Sequence, residues 1–161
     1  RSGKWSGWYR SNKKNFSCVY DNGKRAGNYV EWNSKGKKVK EIYYSEGKRI
    51  KEYLVIKDGS GFMEINKMYG KLDGSWARWY ADGLKEEEGS YKKGTKVGTW
   101  SRYGMNGVVI EEWNFDNKGR NLYEITYYDN GTVKEYRDYF SKTVQEYNAD
   151  GSLKGDKIPF N

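Results

Sequence analysis

Three glutamates, Glu87, Glu111 and Glu135, recur every 24 residues, and each stands four positions after a glycine: Gly83, Gly107 and Gly131. Four residues further on come Tyr91, Phe115 and Tyr139. Residues an even number apart share a face of an extended chain, so the carboxylates should line up beside a row of rings. Glu64 is expected to join them. Such a row could exchange protons with a substrate or track a cation. Acid–base catalysis, however, needs carboxyl groups in different surroundings, and these are copies of one. The simpler expectation is structural: each accepts a hydrogen bond from a nearby indole, phenol or turn amide.

Other chemistries have fewer candidates still. The chain has no histidine, which removes the usual general base and the commonest metal ligand. Its single cysteine, Cys18, cannot close an internal disulfide. Within the alternating stretch Phe16-Ser17-Cys18-Val19-Tyr20 it reads as a small packed thiol. The glycines precede no helix, so no phosphate loop is formed, and one cysteine without histidine makes no metal site. No catalytic residue, cofactor or metal ligand is assigned, and an enzyme is not expected.

Charge and aromatic content point instead to binding. Thirty Lys and Arg against 22 Asp and Glu leave a net charge of +8. Many of the cations cluster at one class of turn: Lys24 and Arg25, Lys48 and Arg49, Lys71, Lys92 and Lys93 with Lys96, and Lys118 with Arg120. A basic ridge of this kind could engage an acidic protein, an anionic lipid surface, an anionic glycan or nucleic acid. Lysine at solvated turns also simply discourages sheets from associating, and the two readings stand level. A second candidate surface is aromatic. Trp76 and Trp79 lie three apart, so they occupy opposite faces of a strand unless a bulge intervenes. The first arrangement is favoured, with Trp5, Trp76 and Trp100 on a packed face and Trp8, Trp32, Trp79 and Tyr103 on the other. If open, that second row would be a stacking platform for sugar rings or bases.

Repetition shows which elements hold these residues. Gly3 and Gly27, and Gly74 and Gly98, are 24 apart, as are Trp5, Tyr29 and Tyr53, and Gly83, Gly107 and Gly131. Units start near residues 3, 27, 51, 74, 98 and 122, with a partial terminal unit from about 146, and form a single repeat domain over 1–161. The mean hydropathy of −1.12 and 32% charged residues would by themselves indicate disorder. Seven Trp, 16 Tyr and 5 Phe argue for a thin aromatic core instead. Each unit has two runs rich in strand-favouring residues and two turns. One turn is Asp82-Gly83, Asn106-Gly107, Asn130-Gly131 or Asp150-Gly151, read as a tight hairpin turn. The other is a longer Gly-x-x-x-Gly type, as in "GKRAG", "GKLDG" and "GTKVG". The expected fold is all-β: an elongated, twisted single antiparallel sheet of tandem β-hairpins, with aromatic copies stacked into a spine. Apolar runs such as Leu54-Val55-Ile56 are too short to cross a bilayer. No signal peptide is visible, and a chain beginning at Arg1 is compatible with one already removed.

The segments "GSWARWYADGLKEEEGSY" and "GTWSRYGMNGVVIEEWNF" resemble the bacterial MORN repeat variant, with units of Gly-x-Trp-x-x-Tyr, x-x-x-Gly, Glu and Tyr, then Lys-x-Gly. The resemblance is clear from 74 to 115 and looser elsewhere; "KDGSGFMEINKMYGKLDG" departs from it. It implies an elongated hairpin sheet with a binding or scaffolding role, some relatives being labelled antitoxin components and others envelope-associated. A protein partner with an acidic surface is expected, with a glycan or an anionic membrane surface as alternatives and nucleic acid disfavoured. The cell envelope or the exterior is the expected location.

Overall fold

The computed structural model describes residues 1–161 and contains strands, turns and no helix. Its strands are β1 (Gly3–Trp8), β2 (Lys14–Asp21), β3 (Lys24–Trp32), β4 (Lys38–Ser45), β5 (Lys48–Asp58), β6 (Gly61–Met68) and β7 (Lys71–Trp79). They continue as β8 (Lys85–Lys92), β9 (Thr95–Tyr103), β10 (Val109–Phe115), β11 (Asn121–Tyr127), β12 (Val133–Asp138), β13 (Thr143–Glu146) and β14 (Ile158–Pro159). All fourteen form one open sheet in sequence order, each antiparallel to the next. Strands spaced by about 4.8 Å give an elongated, twisted sheet roughly 60 Å across.

The two turn classes exchange the lengths expected of them. Asn22-Gly23, Glu46-Gly47, Tyr69-Gly70 and Lys93-Gly94 are the tight turns, with φ positive at both residues, as a two-residue hairpin with the strands' own twist requires. The Asp-Gly and Asn-Gly pairs lie inside five-residue loops such as Tyr80–Leu84, closed by the Tyr80 and Gly83 amides. Only their glycines have positive φ. The acidic or amide side chain caps the loop instead: Asp82 accepts the Leu84 N–H and Asn106 accepts the Val108 N–H.

The second glycine of each Gly-x-x-x-Gly motif belongs to a strand. Gly27, Gly74 and Gly98 have φ of 61°, 102° and 66°. At each, three residues of the strand oppose one of its neighbour: Gly27 to Tyr29 oppose Cys18, Asp73 to Ser75 oppose Asn66, and Gly98 to Trp100 oppose Gly89. Two extra residues leave the in–out alternation unchanged. In the third unit Lys51 replaces the glycine, and the shift between the pairs Tyr43–Lys51 and Tyr44–Arg49 takes up only one residue, Ile50. One extra residue reverses the alternation. Tyr53, in column with Trp5 and Tyr29 by sequence, therefore emerges on the opposite face, and Leu54 replaces it beside Ile65.

Cross-strand partners share a face, so the ladder assigns every side chain. Trp76 and Trp79 do lie on opposite faces; a bulge is present too, but at Glu86 on the adjacent strand. One face carries Trp5, Phe16, Cys18, Tyr29, Ile42, Tyr44, Leu54, Ile65, Trp76, Trp100 and Trp113, and is called the spine face below. Cys18, Ile42, Tyr44, Ile65 and Trp100 are buried there; Gln145 is the one other buried residue. The spine is not aromatic throughout, because Ile42, Leu54 and Ile65 fill its middle. Its tightest point is Trp100. Copies two strands apart should be separated by about 10 Å, yet the Trp76 and Trp100 ring centroids approach to 5.3 Å. Gly89, on the strand between them, makes this approach possible: a Cβ there would stand 2.1 Å from the Trp100 ring.

Candidate interaction surfaces

Every cation cluster named from the sequence lies along one long edge, made by the four tight turns and then by the five-residue loop Asp116–Arg120, which carries Lys118 and Arg120. That edge is internally bonded: the Gly23, Gly47 and Gly94 amides donate to the Arg1, Arg25 and Leu72 carbonyls at 2.8, 3.1 and 2.7 Å. Four of the ten residues are engaged within the sheet. Arg25 turns onto the spine face, where it donates to the Tyr44 hydroxyl at 2.9 Å and lies 4.7 Å from the centre of the Tyr29 ring. Arg49 pairs with Glu52 at 3.3 Å and Arg120 with Asp116 at 2.7 Å. Lys96 meets Glu87 at 3.4 Å and sits 3.8 Å over Trp100. Lys24, Lys48, Lys71, Lys92, Lys93 and Lys118 are exposed and make no ion pair. Equivalent positions in successive units lie about 10 Å apart, where repulsion between two ammonium groups in water is about 0.4 kcal/mol. The row therefore persists without internal counterions.

At the opposite edge, the lysines after β3 are largely neutralised. Lys38 pairs with Glu41 at 2.6 Å and Lys37 with Glu64 at 3.6 Å.

The four candidate platform residues share the face opposite the spine. Trp8 is 60% exposed at the end of the sheet. The other three are half-buried and each carries a lysine over its ring: Lys14 over Trp32 at 5.7 Å, and Lys85 over Trp79 and Tyr103 at 5.3 and 5.8 Å. Trp79 also stacks on Phe62 at 5.8 Å and 10°. Three of the four rings are thus already covered on at least one side.

The glutamate row is paired differently from the expectation. Glu87, Glu111 and Glu135 lie on the spine face, and their partners are the cations Lys96, Arg102 and Arg137 at 3.4, 2.7 and 3.0 Å. Glu64 is not in this row. The Gly59-Ser60 turn joins β5 to β6 with no bulge, so Glu64 falls on the opposite face across from Ala77. There it joins Glu41, Glu88 and Glu112, a second row that the sequence reading missed; its signal was the Glu64, Glu88, Glu112 spacing of 24. The phenols bond mainly to other carboxylates: Tyr103 donates to Glu88 at 2.5 Å and Tyr123 to Glu112 at 3.4 Å, while Tyr139 donates to Glu124 at 3.0 Å.

Those phenols make stability depend on alkaline pH. Burial, reinforced by the Glu88 hydrogen bond, raises Tyr103 to about 12. Burial also raises Tyr53, Tyr91, Tyr123, Tyr127, Tyr136 and Tyr139 above the usual 10.0. Unfolded tyrosines lose their protons first as pH rises, so the stabilisation is complete below about pH 10 and disappears as pH climbs through the folded values. The melting temperature should be flat from about pH 8 to 9.5 and fall above 10, in step with phenolate absorbance. A melting temperature unchanged at pH 11 would show that the phenols are not held by the fold.

No family model matches the chain, and no curated protein matches it. Among solved structures, one of a mutant of S. aureus TarM in complex with fondaparinux, alpha-GlcNAc-glycerol and UDP aligns at a TM-score of 0.29 and 12% identity, over 89% of this chain and 21% of that chain. Another, of TarM, aligns at 0.29 and 14%, over 88% and 21%. The chain therefore spans about a fifth of the TarM chains. Likeness at that level carries no weight for fold or function.

Proposed function

We propose that this protein is a non-catalytic repeat scaffold that binds an acidic protein surface along its tight-turn edge, in keeping with the role that the MORN-like repeats imply. One observation carries the reading: Lys24, Lys48, Lys71, Lys92, Lys93 and Lys118 lie exposed along a single edge, none of them paired with a carboxylate. Evenly spaced, flexible ammonium groups suit an extended acidic surface more than a planar, bidentate anion site, for which arginine would be the better residue. The other two arginines of these clusters, Arg49 and Arg120, are each held by a carboxylate.

The test uses poly-glutamate as a defined acidic polypeptide, with phosphatidylserine vesicles and heparin in parallel. Poly-glutamate should bind at low salt and weaken as salt shortens the screening length to about 8 Å. Reversing Lys71, Lys92 and Lys93 to Glu should weaken it at least about tenfold, a loss of about 1.4 kcal/mol. Binding unaffected by these changes, or a clear preference for vesicles or heparin, would overturn the proposal. The single variant Lys93→Ala should change folding stability by less than about 0.5 kcal/mol, which chemical denaturation checks.

A further inference from the structure

The face opposite the spine holds a recess that no sequence motif announced. A trough of about 710 Å³ crosses β3 to β7, lined among others by Asn28, Glu41, Tyr43, Tyr53, Asn66 and Ser75. A smaller hollow of about 210 Å³ shares Tyr53, Asn66 and Ser75 and continues to Trp79 and Glu88. The trough has a local cause. Without a glycine at position 51, β5 takes up one extra residue instead of two, and Tyr53 turns out of the spine onto this face. The bulged strands on either side present only short side chains there, Asn28 from β3 and Asp73 and Ser75 from β7, so the phenol stands beside a gap.

Dimensions and chemistry narrow the ligand class. From Asn28 on β3 to Ser75 on β7 the trough spans four strand spacings, about 19 Å. Its volume falls in the range of small-ligand sites, about 300–1,000 Å³. Tyr43 is 46% exposed and offers ring surface, while the Tyr53 ring carries the Lys38 ammonium at 5.2 Å on one side and lines the trough with the rest. Asn66 donates its amide to the Ser75 carbonyl and hydroxyl, both at 3.0 Å, which orients it and leaves its Oδ1 free to accept. Three carboxylates on this face are compensated, Glu41 by Lys38 at 2.6 Å, Glu64 by Lys37 at 3.6 Å and Glu88 by Lys85 at 2.7 Å, and in the trough lining Asp73, which makes no ion pair, is balanced by the unpaired Lys51. Compensated charge disfavours both a cationic peptide and a polyanion. Rings beside oriented acceptors suit a ligand that carries C–H faces and hydroxyls together.

We infer that this trough binds a short neutral oligosaccharide, with pyranose C–H faces against Tyr43 and Tyr53 and hydroxyls donated to Glu41 and Asn66. The site is separate from the lysine edge.

The experiment titrates the full chain with maltotriose, cellotriose and chitotriose, and with an oligolysine peptide as control, by calorimetry and residue-resolved NMR. At about 10 mM sugar, a site with a Kd of about 1 mM is nearly saturated. At least one trisaccharide should bind and shift the amide signals of Tyr43, Tyr53, Asn66 and Ser75. Tyr53→Ala should weaken it about tenfold or more, and so should Tyr43→Ala, whose exposed ring can be removed without touching the spine. Lys92→Glu and Lys93→Glu should leave the sugar affinity unchanged, which separates this site from the edge. Absence of trisaccharide binding, shifts confined to Trp8 and its neighbours, insensitivity to Tyr43→Ala, or binding of oligolysine in place of sugar would each overturn the inference.

Discussion

Replacing Trp100 by alanine should destabilise the protein by about 3–5 kcal/mol, the range for a fully buried aromatic. Trp100 is 0% exposed although the sheet has a single layer. Its cover comes from neighbours on the same face: Trp76 at 5.3 Å, Tyr91 edge-on at 5.0 Å and the Lys96 ammonium at 3.8 Å. Its indole N–H donates to the Ser90 carbonyl at 3.2 Å. Removing the ring exposes several half-covered side chains together, and no second layer can relax into the space. A chemical denaturation series gives the difference directly. Trp8→Ala is the control: 60% exposed at the sheet's end, it should cost less than about 1 kcal/mol. Equal midpoints for the two variants would show that Trp100 does not anchor the spine.

The second large effect is identified by its sign. Glycine inside a strand is ordinarily less stable than alanine by about 0.5–1 kcal/mol, so Gly→Ala should help. At Gly89 it should instead cost about 1–3 kcal/mol, the usual range for overpacking. The φ of Gly89 is not positive, so the backbone accepts alanine. The obstacle is the Trp100 ring, 2.1 Å from where the new Cβ would sit. A double-mutant cycle isolates the cause: with Trp100 already truncated, Gly89→Ala should become neutral or stabilising, because the clashing group is gone. A penalty of the same size in both backgrounds would rule out the ring as its source.

The distance between sequence and structure is largest where residues are added to a strand. Strand type, the order of hairpins and the collection of cations at one edge all follow from local features: alternation, turn dipeptides and a 24-residue interval. Turn lengths were not legible from the dipeptides, and the two classes came out reversed. Asp82 and Asn106 supply loop caps rather than backbone twist, a role their side chains and not their φ preferences decide. The lysine edge was legible as a location, but which cations remain free was not. Arg25 and Lys96 find partners on the spine face, including Tyr44 and Glu87, that sit 19 and 9 residues away in sequence.

Spacing alone was thus enough for an all-β meander, its edges and the residues that populate each edge, because turn chemistry and alternation act over a few neighbouring residues. Assigning Tyr53, Glu64 and the trough to their face required the folded ladder. Side-chain direction in a strand has a period of two, so a single bulged or missing residue inverts everything after it, and bulge size is settled only when neighbouring strands pair. Lys51 in place of a glycine set one such inversion, and the unbulged Gly59-Ser60 turn set another.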